Sequence, residues 1–147
     1  MLDIVTYGNE ILGRKAELVK DIDDRIRTLA TEMLEAMAGK GIGLAGPQVD
    51  SPLRIFVTNV EGDKPRIFIN PEIVLTSQEI VTVEEGCLSL PRLYIDVIRP
   101  KSVRVQAWNE KGRPFTVETD GLLARVILHE YDHLEGLLFI DRLNPGK

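Results

Sequence analysis

Two histidines occur in the 147-residue chain, and both fall in one five-residue window, His129-Glu130-Tyr131-Asp132-His133. Residues four apart share one face of an α-helix, so a helix here sets both imidazoles on the same side. The flanking residues predict that helix from about Gly121 to Leu134, with Thr119 or Asp120 as its N-cap and Gly136 at its C-terminal cap. Leu122, Leu123, Val126, Ile127 and Leu128 make it apolar on nearly all sides, the mark of a buried helix. Imidazoles buried without partners are costly. A chain with this helix must therefore fold around it and supply the histidines with something to bind. A divalent metal meets that need, with Glu130 close by as a base for metal-bound water. The alternative is two histidines that only pack or hydrogen-bond.

The remaining elements predict an α+β fold, with antiparallel β-sheets packed around the central helix. An N-terminal amphipathic helix reads over 21–38, where Ile22, Ile26, Leu29, Met33 and Met37 recur at helical spacing. Asp21 is its expected N-cap, and Gly39 and Gly41 stop it. Strands follow at Leu53–Asn59 and Arg66–Asn70 around a Glu61-Gly62-Asp63 turn. Another extended stretch lies within 72–84 and closes on Val81-Thr82-Val83, and Pro91 interrupts the chain before Tyr94–Ile98. Ser102–Trp108 alternates and turns through Asn109-Glu110-Lys111-Gly112 into Pro114–Glu118, a second hairpin. The whole, 1–147, reads as one domain.

Composition narrows the function classes. A net charge of −5 argues against a sequence-independent grip on nucleic-acid phosphates. No run of eighteen apolar residues exists, and the opening MLDIVTYGNEILGRKA lacks the apolar block of a signal peptide, so a cytoplasmic location is expected. With one cysteine, Cys87, no intrachain disulfide can form.

Two imidazoles are too few for a stable metal site, so a third ligand must come from a cysteine, a carboxylate or a distant residue. Cys87 is a candidate, although free cysteine is most often a small buried hydrophobe. A Cys-His-His set leaves one tetrahedral position open, as catalytic sites do. The glycine-rich loop Gly41-Ile42-Gly43-Leu44-Ala45-Gly46-Pro47-Gln48 lacks the lysine and hydroxyl of a phosphate loop. Its glycines suit a close backbone approach. Gln48 offers a neutral N–H donor for a developing oxyanion; the loop also reads as an ordinary turn.

GIGLAGPQ (41–48), EGCLS (85–89) and HEYDHLEG (129–136) resemble the three signature motifs of peptide deformylases, in order and at similar separations. The opening IVTYGNEILGRKA is similar to that family's N-terminal stretch, so the resemblance covers nearly the whole chain. It implies removal of the N-formyl group from the N-terminal formyl-methionine of newly made polypeptides. By the same resemblance Cys87, His129 and His133 hold the metal. Glu130 takes a proton from the bound water and delivers it to the leaving amine. The Gln48 side chain and the backbone N–H of Leu88 bind the oxyanion. Ile42, Gly43, Val83, Glu85, Leu122 and Val126 fall at substrate-binding positions. The implied metal is Fe(II), with zinc, nickel or cobalt able to take its place. The implied partners are N-formylmethionyl nascent chains and the ribosome near its exit tunnel, with no membrane and no nucleic-acid specificity. An organellar or viral source stays open.

The chain departs from the family pattern in places. Gly46 stands where a second alanine is usual, and the lost methyl is expected to loosen the loop beside the substrate groove. Leu128 replaces a common glutamine, and Tyr94 an arginine found in some members. Only eleven residues follow Gly136, too few for a long C-terminal helix. Two rival readings remain: a metallopeptidase, against which Cys87 and its EGCLS context speak, and a catalytically silent relative, against which intact Cys87, Glu130 and both histidines speak.

Overall fold

The computed structural model describes residues 2–142. Helix α1, Asp24–Met37, buries Ile26, Ala30, Met33 and Met37 on one face. Its N-cap is Asp23, whose carboxylate accepts from Arg25 N at 3.1 Å and Ile26 N at 3.3 Å. The expected cap, Asp21, lies too far ahead to reach these first unpaired N–H groups. Strands β1 (Gly43–Ala45), β2 (Ile55–Thr58) and β3 (Arg66–Thr76) come next. They are followed by β4 (Ile80–Cys87), β5 (Leu90–Pro100), β6 (Ser102–Trp108) and β7 (Pro114–Asp120). Helix α2 spans Gly121–Leu134.

The strands make two antiparallel sheets, one ordered β1-β2-β3-β6-β7 and the other a β4-β5 ribbon. In β2, successive side chains point to opposite faces, and all four are buried. Ile55 and Val57 pack with Met33 and Met37 of α1, whereas Phe56 packs with Phe68, Ile127 and Leu134 toward α2. The two helices therefore cover opposite faces of the five-stranded sheet. That explains why β2 reads as an unbroken apolar run rather than an alternating one. The ribbon lies on α2 as well. Arg125 of the helix donates to Val97 O at 3.0 Å and Val81 O at 3.1 Å, one carbonyl on each ribbon strand. The fold is α+β, and α2 sits between ribbon and sheet.

Local differences from the sequence expectation have physical causes. The stretch through 72–84 is two strands, because Ser77 turns the chain: its hydroxyl donates to Glu79 O at 2.7 Å and accepts from Ser102 N at 3.0 Å. Pro91 does not precede a strand but lies inside β5. Pairing jumps from Cys87–Leu90 to Gly86–Tyr94, so Pro91, Arg92 and Leu93 bulge out of the ladder, with Arg92 at φ 67°. A bulge accommodates the N–H that proline lacks. Asp120 holds the N-cap position of α2, yet its side chain makes no capping bond. At the other end Leu137 N donates to Asp132 O and Gly136 N to His133 O, with Gly136 at φ 76°. This is a Schellman ending, and it uses the left-handed backbone that glycine takes freely.

Gly46 does not loosen its loop. A β-carbon built there meets the Leu53 carbonyl at 2.7 Å and the Ser51 carbonyl at 3.3 Å, on the side of β2. The absent methyl lets backbone pack against backbone. The expectation for the chain's end falls partly on residues 143–147, which lie outside the described residues.

Candidate metal centre

The buried helix α2 carries His129, Glu130 and His133, and the last residue of β4 brings Cys87 to them. One potential ligand atom from each of Cys87, His129 and His133 lies within 4.8 Å of the others. Cys87 Sγ is 3.5 Å from His133 Nε2. Ordinary zinc–sulfur and zinc–nitrogen bonds at tetrahedral angles separate two such atoms by roughly 3.6 Å. A thiolate and two imidazoles at this spacing fit a divalent transition-metal ion, which soft and borderline ligands favour.

His129 is oriented from behind. Its Nδ1 shares a hydrogen bond with Glu85 Oε1 at 2.8 Å, which leaves Nε2 to face Cys87 and His133. The Glu85 carboxylate is buried and saturated. It accepts from Arg99 Nε at 2.5 Å and Nη2 at 2.9 Å, and from Arg125 Nη1 at 2.6 Å. Burial alone would raise the Glu85 pKa, but the hydrogen bonds from His129 and Arg99 outweigh it and hold the acid well below the usual range. The resemblance placed Glu85 among substrate-binding residues. Both its oxygens bond Arg99, Arg125 and His129, and Glu85 also borders the cavity over the site.

Glu130 is as buried as Glu85 but differs from it in its hydrogen bonds and in its pKa. It is buried, its Oε1 has no hydrogen-bond partner among the described residues, and burial pushes its pKa up to about 7. A carboxylate so placed exchanges a proton near neutral pH. Space for it comes from Gly43 on β1. A β-carbon built on Gly43 meets Glu130 Oε2 at 2.6 Å and Val126 Cγ1 at 2.7 Å. Gly43→Ala is therefore expected to displace the Glu130 carboxylate and lower kcat on the order of 100-fold, the cost of an ångström-scale misplacement. Unchanged kcat in that variant, with metal bound, would show that Glu130 has room to spare.

Gln48 lies in a 3-10 helix, Gly46–Val49, that follows β1. Its Oε1 accepts from Ala45 N at 3.0 Å. Because a backbone N–H can only donate, the amide is fixed with Nε2 turned to Cys87 Sγ at 3.5 Å and Ser89 Oγ at 3.2 Å. The loop thus aims a neutral donor at the edge of the cysteine–histidine cluster.

A cavity of about 390 Å³ opens over this group, lined by Gln48, Cys87, His129 and Glu130. Ile42, Gly43, Leu88, Leu122 and Val126 also line it. Val83 does not reach it. It lies on β4 two residues before the buried Glu85 and is half-exposed beyond the cavity's edge. Tyr94 borders the cavity, and its ring lies where a Gly86 side chain would be, 2.5 Å from a β-carbon built there. Sequence reasoning passed over Arg99, Arg125, Asp132 and Ser89. Only Arg125 left a signal, a lone cation in the apolar run of α2.

The polypeptide deformylase family model matches residues 1–147. A peptide deformylase from Clostridium botulinum is 51% identical over 141 residues, covering 95% of either chain. One from Prochlorococcus marinus is 49% identical over 146 residues, covering 96% of this chain and 72% of that one. The crystal structure of peptide deformylase from Thermotoga maritima superposes with a TM-score of 0.94 at 39% identity, covering 97% of each chain.

Proposed function

The chain belongs to the polypeptide deformylase family, and from that premise we propose that it removes the N-formyl group from the formyl-methionine that begins newly made polypeptides. The observation that carries this reading is the convergence of Cys87, His129 and His133 beside Glu130, a buried carboxylate whose Oε1 has no partner among the described residues, with Cys87, His129 and Glu130 lining one cavity. Cys87, His129 and His133 would hold a divalent cation, Fe(II) by family resemblance, with zinc, nickel or cobalt as substitutes. When bound, the cation polarises the formyl carbonyl and makes water acidic enough to be a nucleophile near neutral pH.

The protein's own groups do the rest. Ile42, Leu122 and Val126 give the methionine side chain an apolar wall. Glu130 takes the proton from the attacking water and passes it to the departing amine nitrogen, for which a pKa near 7 suits both halves of the transfer. Gln48 Nε2 and the backbone N–H of Leu88 stabilise negative charge on the formyl oxygen as the carbon becomes tetrahedral. Formate and a free amino terminus leave. In this reading the whole chain acts as one catalytic domain on nascent chains at the ribosome, in the cytoplasm. Among the described residues no helix is long and apolar enough to cross a membrane.

Incubating anaerobically prepared protein with a short formyl-methionyl peptide, with product masses and metal content measured together, tests the reading. Loss of the formyl group alone is expected. A cut at an internal peptide bond would point to a peptidase. An unchanged peptide over metal-loaded protein would mean a silent relative.

A further inference from the structure

The ion pairs that orient His129 do not end at Glu85. Arg99 also donates through Nη1 to Asp132 Oδ2 at 2.9 Å. Asp132 in turn accepts from Arg142 Nη2 through Oδ1 at 2.7 Å and from Arg142 Nε through Oδ2 at 3.1 Å. An unbroken chain of charge-assisted hydrogen bonds thus runs His129–Glu85–Arg99–Asp132–Arg142. All but the last member are buried, and Arg142 is half-exposed. Arg142 closes a short 3-10 helix, Phe139–Arg142, that follows α2. The same segment touches His129 a second time. The buried ring of Phe139 lies with its centroid 5.7 Å from that of His129, tilted by 55°.

Geometry makes the far end matter. Arg99 offers its Nε and Nη2 to Glu85 and its Nη1 to Asp132, so its plane is held at both ends. Asp132 is a good anchor only while its own carboxylate cannot rotate, and the two-point fork of Arg142 prevents that rotation. Without Arg142, Asp132 keeps one side-chain partner among the described residues, Arg99, and can turn. Arg99 then loses its second anchor, and the carboxylate that aims His129 is less well held. Partners behind a metal-binding histidine fix its ring and raise its hold on the ion.

We propose that Arg142 is a positioning residue for His129, acting through Asp132, Arg99 and Glu85, and that the Phe139–Arg142 segment is a strap that helps the site retain its cation. The inference rests on the reading of Cys87, His129 and His133 as metal ligands. A purely structural role, in which Arg142 pins the segment to the body, predicts lower stability but an unaltered site.

The test loads the full chain with Co(II) and follows both its visible spectrum and its transfer to excess chelator. Transfer from R142A is expected to be about tenfold faster than from the wild type, the lower end of the effect of losing an outer partner. The spectrum should shift as well. R142K keeps the charge but not the fork, so it should fall between R142A and the wild type. R104A removes an exposed arginine paired with Glu118 and should match the wild type. Wild-type spectrum and transfer rate in R142A, whatever its melting temperature, would overturn the proposal. If R142A does not fold, R142K and D132N decide, and wild-type release from both would equally overturn it. A wild-type chain that takes up no Co(II) would instead overturn the metal reading, and this inference with it.

Discussion

Glu130→Gln is expected to keep the fold and the metal while losing turnover by about 10²–10⁴-fold, the usual contribution of a positioned proton-transfer group. Glutamine nearly matches glutamate in shape, so the space opened by Gly43 still accommodates it. The amide cannot accept a proton from water at neutral pH, nor hand one to the amine. The pH profile sharpens the test. Burial raises the Glu130 pKa to about 7, and in the proposed mechanism the carboxylate is the active form, so kcat/KM is expected to fall as acid protonates it. A cation in the site favours the charged carboxylate, which moves that acid limb below pH 7. The limb should vanish in the glutamine variant. Near wild-type rates, or an unmoved acid limb, would take the proton-transfer role away from Glu130.

What the sequence disclosed follows from how local each signal is. The His129–His133 spacing needs only one helix, and the apolar residues around it needed only to be buried. The hairpin of Ser102–Trp108 with Pro114 onward was legible because alternation and a turn holding asparagine and glycine are both local; Asn109 Oδ1 accepts from Lys111 N and Arg113 N. Cys87 stands 42 positions before His129, and no local pattern joins the two. Its chemistry and the family resemblance brought it forward. The Glu85–Arg99–Asp132 chain was unreadable for a sharper reason. An arginine or an aspartate in a sequence reads as surface, and burial becomes affordable only when partners from β4, β5 and α2 meet. The resemblance gave Glu85 only a substrate-binding position, and its bond to His129 emerges where β4 meets α2. Pro91 was read as a break because the bulge that tolerates it depends on the register of β4 with β5. Gly46 was read as a loss of packing, whereas the nearby Leu53 and Ser51 carbonyls make it a requirement.

Cys87→Ser is expected to cost the site its metal more than any change behind the ligands does. Loss of an outer partner lowers metal affinity by roughly 10–100-fold, and a lost ligand should exceed that. Cys87 supplies the one thiol of the cluster, as a thiolate once metal is bound. Serine replaces it with a hydroxyl that stays protonated at neutral pH, on a shorter bond, and so removes a negative charge and a soft donor together. The two imidazoles alone then face the ion, a set too small for a stable tetrahedral site. The fold should survive, because Cys87 sits at the end of β4 rather than in either apolar cluster, and the serine hydroxyl can still accept from Gln48. Elemental analysis after dialysis against a chelator should find the variant largely empty while its far-ultraviolet circular dichroism matches the wild type. Cys87→Asp, which restores an anionic donor of harder character, should retain an intermediate amount. Full occupancy in the serine variant would remove Cys87 from the ligand set and leave the thiol's 3.5 Å approach to His133 a matter of packing alone.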